Sequence, residues 1–260
     1  MAKKTNGNVL WTLMVITGFY LFVAFVFHWP PFRFGRPDKD TFVKYPGFGI
    51  DLPKDYAIHG IDVSRYQNRI NWKLVAGMKS LDVKLQFAVM KATEGQTFID
   101  KTFKRNWKNS REAGMIRGAY HFFRGDKDAA AQARNFITTV RLMPGDLPPV
   151  LDVESLYNTP VPEFQEKVAL WLQLVEQHYK VKPIIYSNAS FYNQYLHPYF
   201  ADYPLWVAHY KERHQPRVKR DWLMWQHNEG GRVDGIQAFV DFNVYNGDSL
   251  SFRKLLIGGK

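Results

Sequence analysis

The chain has 260 residues, 46% of them hydrophobic and 16% aromatic, enough for one large core or two small ones. It holds no cysteine, which excludes a disulfide framework and a thiolate metal site while leaving the compartment open. The net charge of +11 favours polyanionic surroundings such as nucleic acid, anionic lipid or cell wall, but the sequence carries no P-loop, no metal-spaced His pair and no nucleic-acid-binding motif.

After a short tail (1–8) expected on the cytoplasmic side, residues 9–27 run for nineteen residues without a charge. As a helix they would measure about 28 Å, close to the hydrocarbon thickness of a bilayer. A cleaved signal peptide has a shorter apolar stretch and ends at small residues, whereas this run ends in Phe25, Phe27, His28 and Trp29. Residues 9–28 are therefore predicted to form a single uncleaved transmembrane anchor. Lys3 and Lys4 precede it and Arg33, Arg36, Lys39 and Lys44 follow, so charge bias alone does not orient it. Residues 29–55, rich in Pro and Gly, read as a linker.

From residue 56 to 260, short apolar runs alternate with helical patterns. Strands are predicted at 57–63, 85–91, 116–122, 150–153, 184–186, 205–208, 223–225 and 239–244. Helices are predicted at 101–113 with Asp100 as cap, from Asp126 to 141, at 162–180, at 188–196 and at 249–256. Eight strands separated by crossovers imply a parallel sheet closed on itself, an α/β fold. About 205 residues is near the lower limit for that architecture. The prediction is a single irregular (β/α)8-like barrel with short or missing helices, preceded by one transmembrane helix.

In such barrels chemistry sits where the strands end. Polar residues do cluster at the predicted ends: Asp62 and Ser64, Lys91 and Glu94, Tyr120 and His121, Asp152 and Glu154, Tyr186 to Asn188, His209 and Tyr210, Gln226 and His227, and Asp241 with Asn243. Asp152 and Glu154 stand two apart, hence on one face of a strand and roughly 6.5 Å from each other along it. Paired carboxylates suit acetal chemistry, where one protonates a leaving oxygen and the other stabilises positive charge. The plain alternative is a strand end bearing two solvated acids. Closure of the barrel would set Asp62 beside Asp241, opposite that pair, and four acids round one cleft are hard to explain by packing. Flat sugar faces pack on aromatic rings, so Tyr186 and Trp206 are the preferred saccharide walls, with Tyr120, Phe122 and Trp225 as further candidates. Lys91 and Glu94 either hold each other or meet substrate. No second ligand stands at metal spacing from His121, and no metal or other cofactor is expected.

The segments GIDVSRYQ (60–67), INW (70–72), FAVMKATEG (87–95), GAYHFF (118–123), LDVE (151–154), IIYSN (184–188), LWVAHY (205–210), MWQH (224–227) and VDFNVYNG (240–247) resemble, in order, those of the family 25 glycoside hydrolases. The resemblance implies a βα-barrel lysozyme that cuts the β-1,4 bond between N-acetylmuramic acid and N-acetylglucosamine in peptidoglycan. By position, Glu154 matches the general acid. Asp152 matches its partner, either a nucleophile or the group that orients the substrate's 2-acetamido arm. Asp62 and Asp241 match the two further acids of the site, and Asn243 is placed with the substrate-binding residues. The substrate in turn implies a monomeric enzyme at a bacterial inner membrane, its catalytic domain on the periplasmic or extracellular side. A membrane-tethered wall-binding module without activity is the alternative, and a basic nucleic-acid-binding protein is disfavoured by the acidic cleft.

Overall fold

The computed structural model describes residues 41–259, so the tail, the transmembrane segment expected over 9–28 and the first part of the linker lie outside the described residues. Among the described residues no helix is long and apolar enough to cross a membrane. The strands in chain order are β1 (Phe42–Tyr45), β2 (Ile50–Pro53), β3 (His59–Val63), β4 (Lys79–Ser80), β5 (Val83–Glu94), β6 (Phe98–Ile99), β7 (Ile116–Phe122), β8 (Val150–Asp152), β9 (Ile184–Asn188), β10 (Leu205–Ala208), β11 (Met224–Gly231) and β12 (Val240–Tyr245). The eight predicted strands correspond to β3, β5, β7, β8, β9, β10, β11 and β12, which pair in ring order and close through β3 and β5.

The ring departs from the expected all-parallel sheet at one strand. β12 runs antiparallel to both β11 and β3. Only residues 232–239 join β11 to β12, and a parallel crossover needs a dozen or more. Gly230, Gly231 and Gly235 fall in or beside this short connection, which turns back as a hairpin.

No crossover helix covers that flank, and the N-terminal hairpin does so instead. Residues 42–53, predicted as linker, form the antiparallel pair β1–β2. Phe48 lies 5.1 Å from the Phe242 ring, and Phe42 meets Trp225 edge-on at 5.8 Å. Tyr45, Phe48, Ile50 and Leu52 are buried in the main hydrophobic core. Of the Pro and Gly residues that suggested a linker, Pro46, Gly47 and Gly49 belong to the turn at 46–49, between two strands whose apolar faces the sheet needs.

The helices follow prediction with shifted ends. Phe103–Glu112 is capped at Thr102, while Asp100 accepts from the Thr102 amide and hydroxyl and from the Arg65 amide, tying the helix start to the loop after β3. Ala129–Thr139 starts from Asp128, not Asp126. Val161–Tyr179 buries Phe164, Val168, Trp171, Leu172 and Val175, the predicted stripe. Residues 188–196 form only the short turn Ala189–Phe191 followed by a π-turn, and Trp72–Gly77 adds a helix that the sequence reading did not identify.

Side-chain alternation sorts the sheet into two faces. Leu151, Ile185, Val207, Trp225 and Val244 face the surrounding helices and hairpin. Phe87, Val89, Val150, Ile184, Met224 and Tyr245 form the inner cluster beneath the rim. The inner layer is tight at Gly60, where an added Cβ would lie 2.5 Å from the ring of Phe87. Gly60→Ala is therefore expected to lower stability by about 1–3 kcal/mol through overpacking. Urea unfolding measures it; an unchanged midpoint would show that the Phe87 ring has room to move.

Candidate active site

The rim of the barrel opens into a cleft of about 320 Å³ whose walls include Asp62, Lys91, Tyr120, Phe122, Asp152, Glu154, Tyr186, Trp206 and Asp241. The four predicted acids thus meet in one place. β8 delivers Asp152 from its last residue, with Glu154 just beyond on the same face. β3 and β12 deliver Asp62 and Asp241 as direct register partners. Because β12 is reversed, Asp241 reaches the rim from the start of its strand.

Asp62 anchors the floor of the cleft. Its Oδ2 accepts from Gln226 Nε2 and Asn243 Nδ2, both at 2.8 Å. The Gln226 carbonyl accepts from the Tyr186 hydroxyl at 2.8 Å and from the Tyr210 hydroxyl. The Asn243 carbonyl accepts from Trp206 Nε1 at 2.8 Å. Each amide is thereby oriented with its NH2 toward Asp62, because its oxygen already faces donors.

Burial raises the pKa of Asp62, the two amides oppose the rise, and Glu154 adds to it. Asp241 is raised by burial and by the charges of Asp62 and Glu229, and it donates a hydrogen bond to Asp62. Of the two carboxyls Asp241 is driven further toward its neutral form, so a proton shared by the pair favours Asp241.

On the opposite wall, Asp152 is buried, and its Oδ1 has no hydrogen-bond partner in the protein. Burial and the neighbouring Glu154 charge push its pKa well up, against the pull of Lys91. Glu154 is also raised, by burial of its carboxyl in the cleft, although the residue as a whole sits at the exposed mouth; a hydrogen bond to Tyr186 and the charge of Lys91 oppose the rise. The roles implied by the resemblance require a protonated Glu154 beside an ionised Asp152. Both are raised by the protein around them, Asp152 the further, because it lies deeper.

The aromatic candidates divide. Tyr186 and Trp206 meet edge-to-face at 4.7 Å within the cleft wall, and Lys91 lies over the Phe122 ring at 4.4 Å. Trp225 is corrected: it points outward, fully buried, and its indole nitrogen donates to the His209 carbonyl. Its neighbour Gln226 faces inward, so strand alternation forces Trp225 away. Glu94 also lies outside the cleft walls, paired with Lys91 at 2.7 Å and Arg124 at 3.5 Å. Asn243 is buried beneath the cleft as a support for Asp62. His121 sits in the core, its two nitrogens engaged by Thr93 and Gln132.

Sequence reasoning missed Tyr66, Gln67, Tyr210, Gln226 and Glu229, all of which line the cleft. Gln226 and Tyr210 had a signal, their place at strand ends. Tyr66 and Gln67 follow Ser64, which caps the turn Arg65–Gln67 in a box closed by the Gln67 side chain. Glu229 lies on the β11–β12 hairpin and had no signal of its own.

The sequence profile described as glycosyl hydrolases family 25 matches residues 61–236. The uncharacterized protein YegX of Escherichia coli (strain K12) is 50% identical over 200 residues, covering 77% of this chain and 74% of that protein. Lysozyme M1 of Streptomyces globisporus is 34% identical over 213 residues, covering 74% and 69% respectively. The crystal structure of the bacterial lysozyme from Streptomyces coelicolor aligns with a TM-score of 0.70 at 31% identity, covering 78% of this chain and 99% of that one.

A carboxyl with a raised folded pKa holds its proton more tightly when folded than when unfolded. Its stabilisation is complete below the ordinary carboxylate range and is lost as pH climbs through the folded value. Asp241→Asn keeps the donor to Asp62 and removes this titration. The variant is expected to match the wild type near pH 4 and to be more stable near pH 8 by roughly 1 kcal/mol or more. Thermal melts at the two pH values decide it; a difference that does not grow with pH would remove the shared proton.

Proposed function

Since the chain belongs to glycosyl hydrolases family 25 and is a lysozyme-type glycoside hydrolase, we propose that it cleaves the β-1,4 bond between N-acetylmuramic acid and N-acetylglucosamine in peptidoglycan. The observation that carries this reading is the meeting of Asp152 and Glu154 with the hydrogen-bonded Asp62–Asp241 pair in one aromatic-walled cleft.

Glu154 at the mouth is the general acid, and its proton goes to the leaving glycosidic oxygen. Two neighbouring carboxyls in a desolvated cleft do not both ionise cheaply, so in the free enzyme one proton serves the Asp152–Glu154 pair. The unpartnered Oδ1 of Asp152 supports a role in receiving the substrate. An acetamido N–H donating to that oxygen favours the ionised form of Asp152 and leaves the proton on Glu154. Ionised Asp152 then stabilises the positive charge developing on the sugar ring, as nucleophile or by holding the acetamido arm for attack. Tyr210 also donates to Gln226, so the single hydroxyl hydrogen of Tyr186 can turn from Gln226 to Glu154 and stabilise the carboxylate left after proton transfer.

The uncharged run at 9–27 supports display of this domain from a bacterial inner membrane, on the side where the wall lies. A tethered hydrolase acts on wall within reach of its own membrane. The presence of all four acids argues against a binding module without activity.

Digestion of purified peptidoglycan with mass analysis of the products is expected to show new reducing ends on N-acetylmuramic acid; ends on N-acetylglucosamine would overturn the bond assignment. Glu154→Gln is expected to lower turnover by about 10²–10⁴-fold while the protein stays folded. Turnover near the wild-type rate would remove Glu154 from the acid role. Accumulation of a covalent glycosyl-enzyme in a slowed variant would decide for Asp152 as nucleophile.

A further inference from the structure

Beside the cleft lies a second depression, of about 360 Å³, which the reaction does not use. Arg65, Arg124 and Lys127 line it together with Glu94 and Phe98. A thin wall separates it from the cleft. Ser64 and Tyr66, on either side of Arg65, face the cleft, and the Lys91–Glu94 ion pair spans the boundary, Lys91 on the cleft side and Glu94 on the other.

The charges of this depression are unbalanced. Arg124 is shared between Glu94 and Asp126, and Lys127 pairs with Asp126 at 3.0 Å. Arg65 has no carboxylate partner among the described residues. Its guanidinium lies over the rings of Phe98, at 5.0 Å, and Tyr66, at 5.3 Å. The two rings hold the planar fork in place, Tyr66 also takes a hydrogen bond from it, and further N–H donors of the fork are left for a ligand. The part of Arg65 that the fold uses is its main-chain amide, which donates to Asp100 at 2.9 Å.

The cleft itself is lined by Asp62, Asp152, Glu154, Glu229 and Asp241 against the single cation Lys91. With protons on Asp241 and on one of the Asp152–Glu154 pair, the charge that remains is still negative and repels an anionic substituent on a bound sugar chain. A substrate with a neutral sugar backbone and anionic branches fits such a surface only if the branches leave the cleft toward positive charge. Peptidoglycan is a polymer of this kind, since alternate sugars bear a short peptide with free carboxylates.

We propose that the depression around Arg65 is a carboxylate subsite that holds the peptide borne by the sugar chain, so that the enzyme selects peptide-bearing strands. The proposal rests on the muramidase reading and specifies which form of its substrate the enzyme takes.

The test compares kcat/KM on three preparations of one peptidoglycan: intact strands, strands with peptide carboxylates chemically amidated, and strands stripped of peptide by an amidase. Stripping leaves a carboxylate on the sugar's lactyl group, so the third arm separates a peptide-borne from a sugar-borne charge. The wild type is expected to prefer intact strands over both others by about tenfold, as a charge-assisted hydrogen bond allows, and the preference shrinks as salt rises. Arg65→Gln, which leaves the bond to Asp100 in place, is expected to abolish the preference through a higher KM on intact strands. Lys254→Gln, an exposed charge on the C-terminal helix, controls for net charge and is expected to keep it.

Equal turnover of the three preparations by the wild type, a preference for stripped strands, or a preference that survives in Arg65→Gln would each overturn the subsite. New reducing ends from none of the three would instead sink the muramidase reading, so the two failures are distinct.

Discussion

The site depends on keeping one carboxylate, that of Asp62, ionised at the bottom of a cleft that is otherwise hostile to charge. Burial drives the group toward its neutral form, and two amide donors oppose this. Neither Gln226 nor Asn243 is free to turn, because Tyr186, Tyr210 and Trp206 occupy their carbonyls. The ring that presents a saccharide wall is thus the same ring that orients the support of the floor. Tyr186 stands between both halves of the cleft, its single hydroxyl hydrogen given to Gln226 on one side and within reach of Glu154 on the other. A change in one wall is therefore felt in the protonation of the opposite one.

The reversal of β12 serves the same end. Had β12 run parallel to its neighbours, the start of the strand, and Asp241 with it, would lie at the far end of the barrel from Asp62. Running antiparallel, it pairs Asp241 with Asp62 in direct register and sets Asn243, two residues on and on the same face, below them. The reversal leaves two outer sheet faces without a crossover helix. The hairpin β1–β2 covers that flank, with Phe42 against Trp225 and Phe48 against Phe242. The outward turn of Trp225 belongs to this arrangement, since it supplies the apolar surface on which the hairpin rests.

Much of this was legible in the amino-acid order, and what was not has physical reasons. Strands of a closed sheet are short apolar runs ending in polar residues, and all eight were found because each kept that signature. The four acids were visible because four carboxylates at the ends of neighbouring strands repel one another and packing does not call for them. The direction of β12 was not readable, because strands expected at 223–225 and 239–244 leave residues 226–238 between them, enough for a parallel crossover, and only the extension of β11 to Gly231 shortens the connection. Residues 42–53 read as linker in the sequence because Pro46, Gly47 and Gly49 mark a turn and a linker alike. Gln226 stands among the polar strand ends, but its role beneath Asp62 depends on a side-chain contact that only the folded barrel makes, while alternation from Met224 puts it on the inner face and Trp225 on the outer. Glu229 comes to the cleft through a hairpin whose geometry no periodicity encodes.

The distribution of charge joins these observations. The chain carries +11, and read as a single figure this favours nucleic acid, lipid and cell wall alike. The structure separates the signs. Five acids line the cleft, while Arg65, Arg124 and Lys127 lie just beyond its edge. A nucleic acid carries its negative charge on the backbone itself, and that backbone would have to enter the acidic cleft. A wall glycan has a neutral backbone and carries its charge on side branches, so the backbone can lie among the acids while the branches reach the cations outside. The spatial order of the charges distinguishes two polyanions that their total could not.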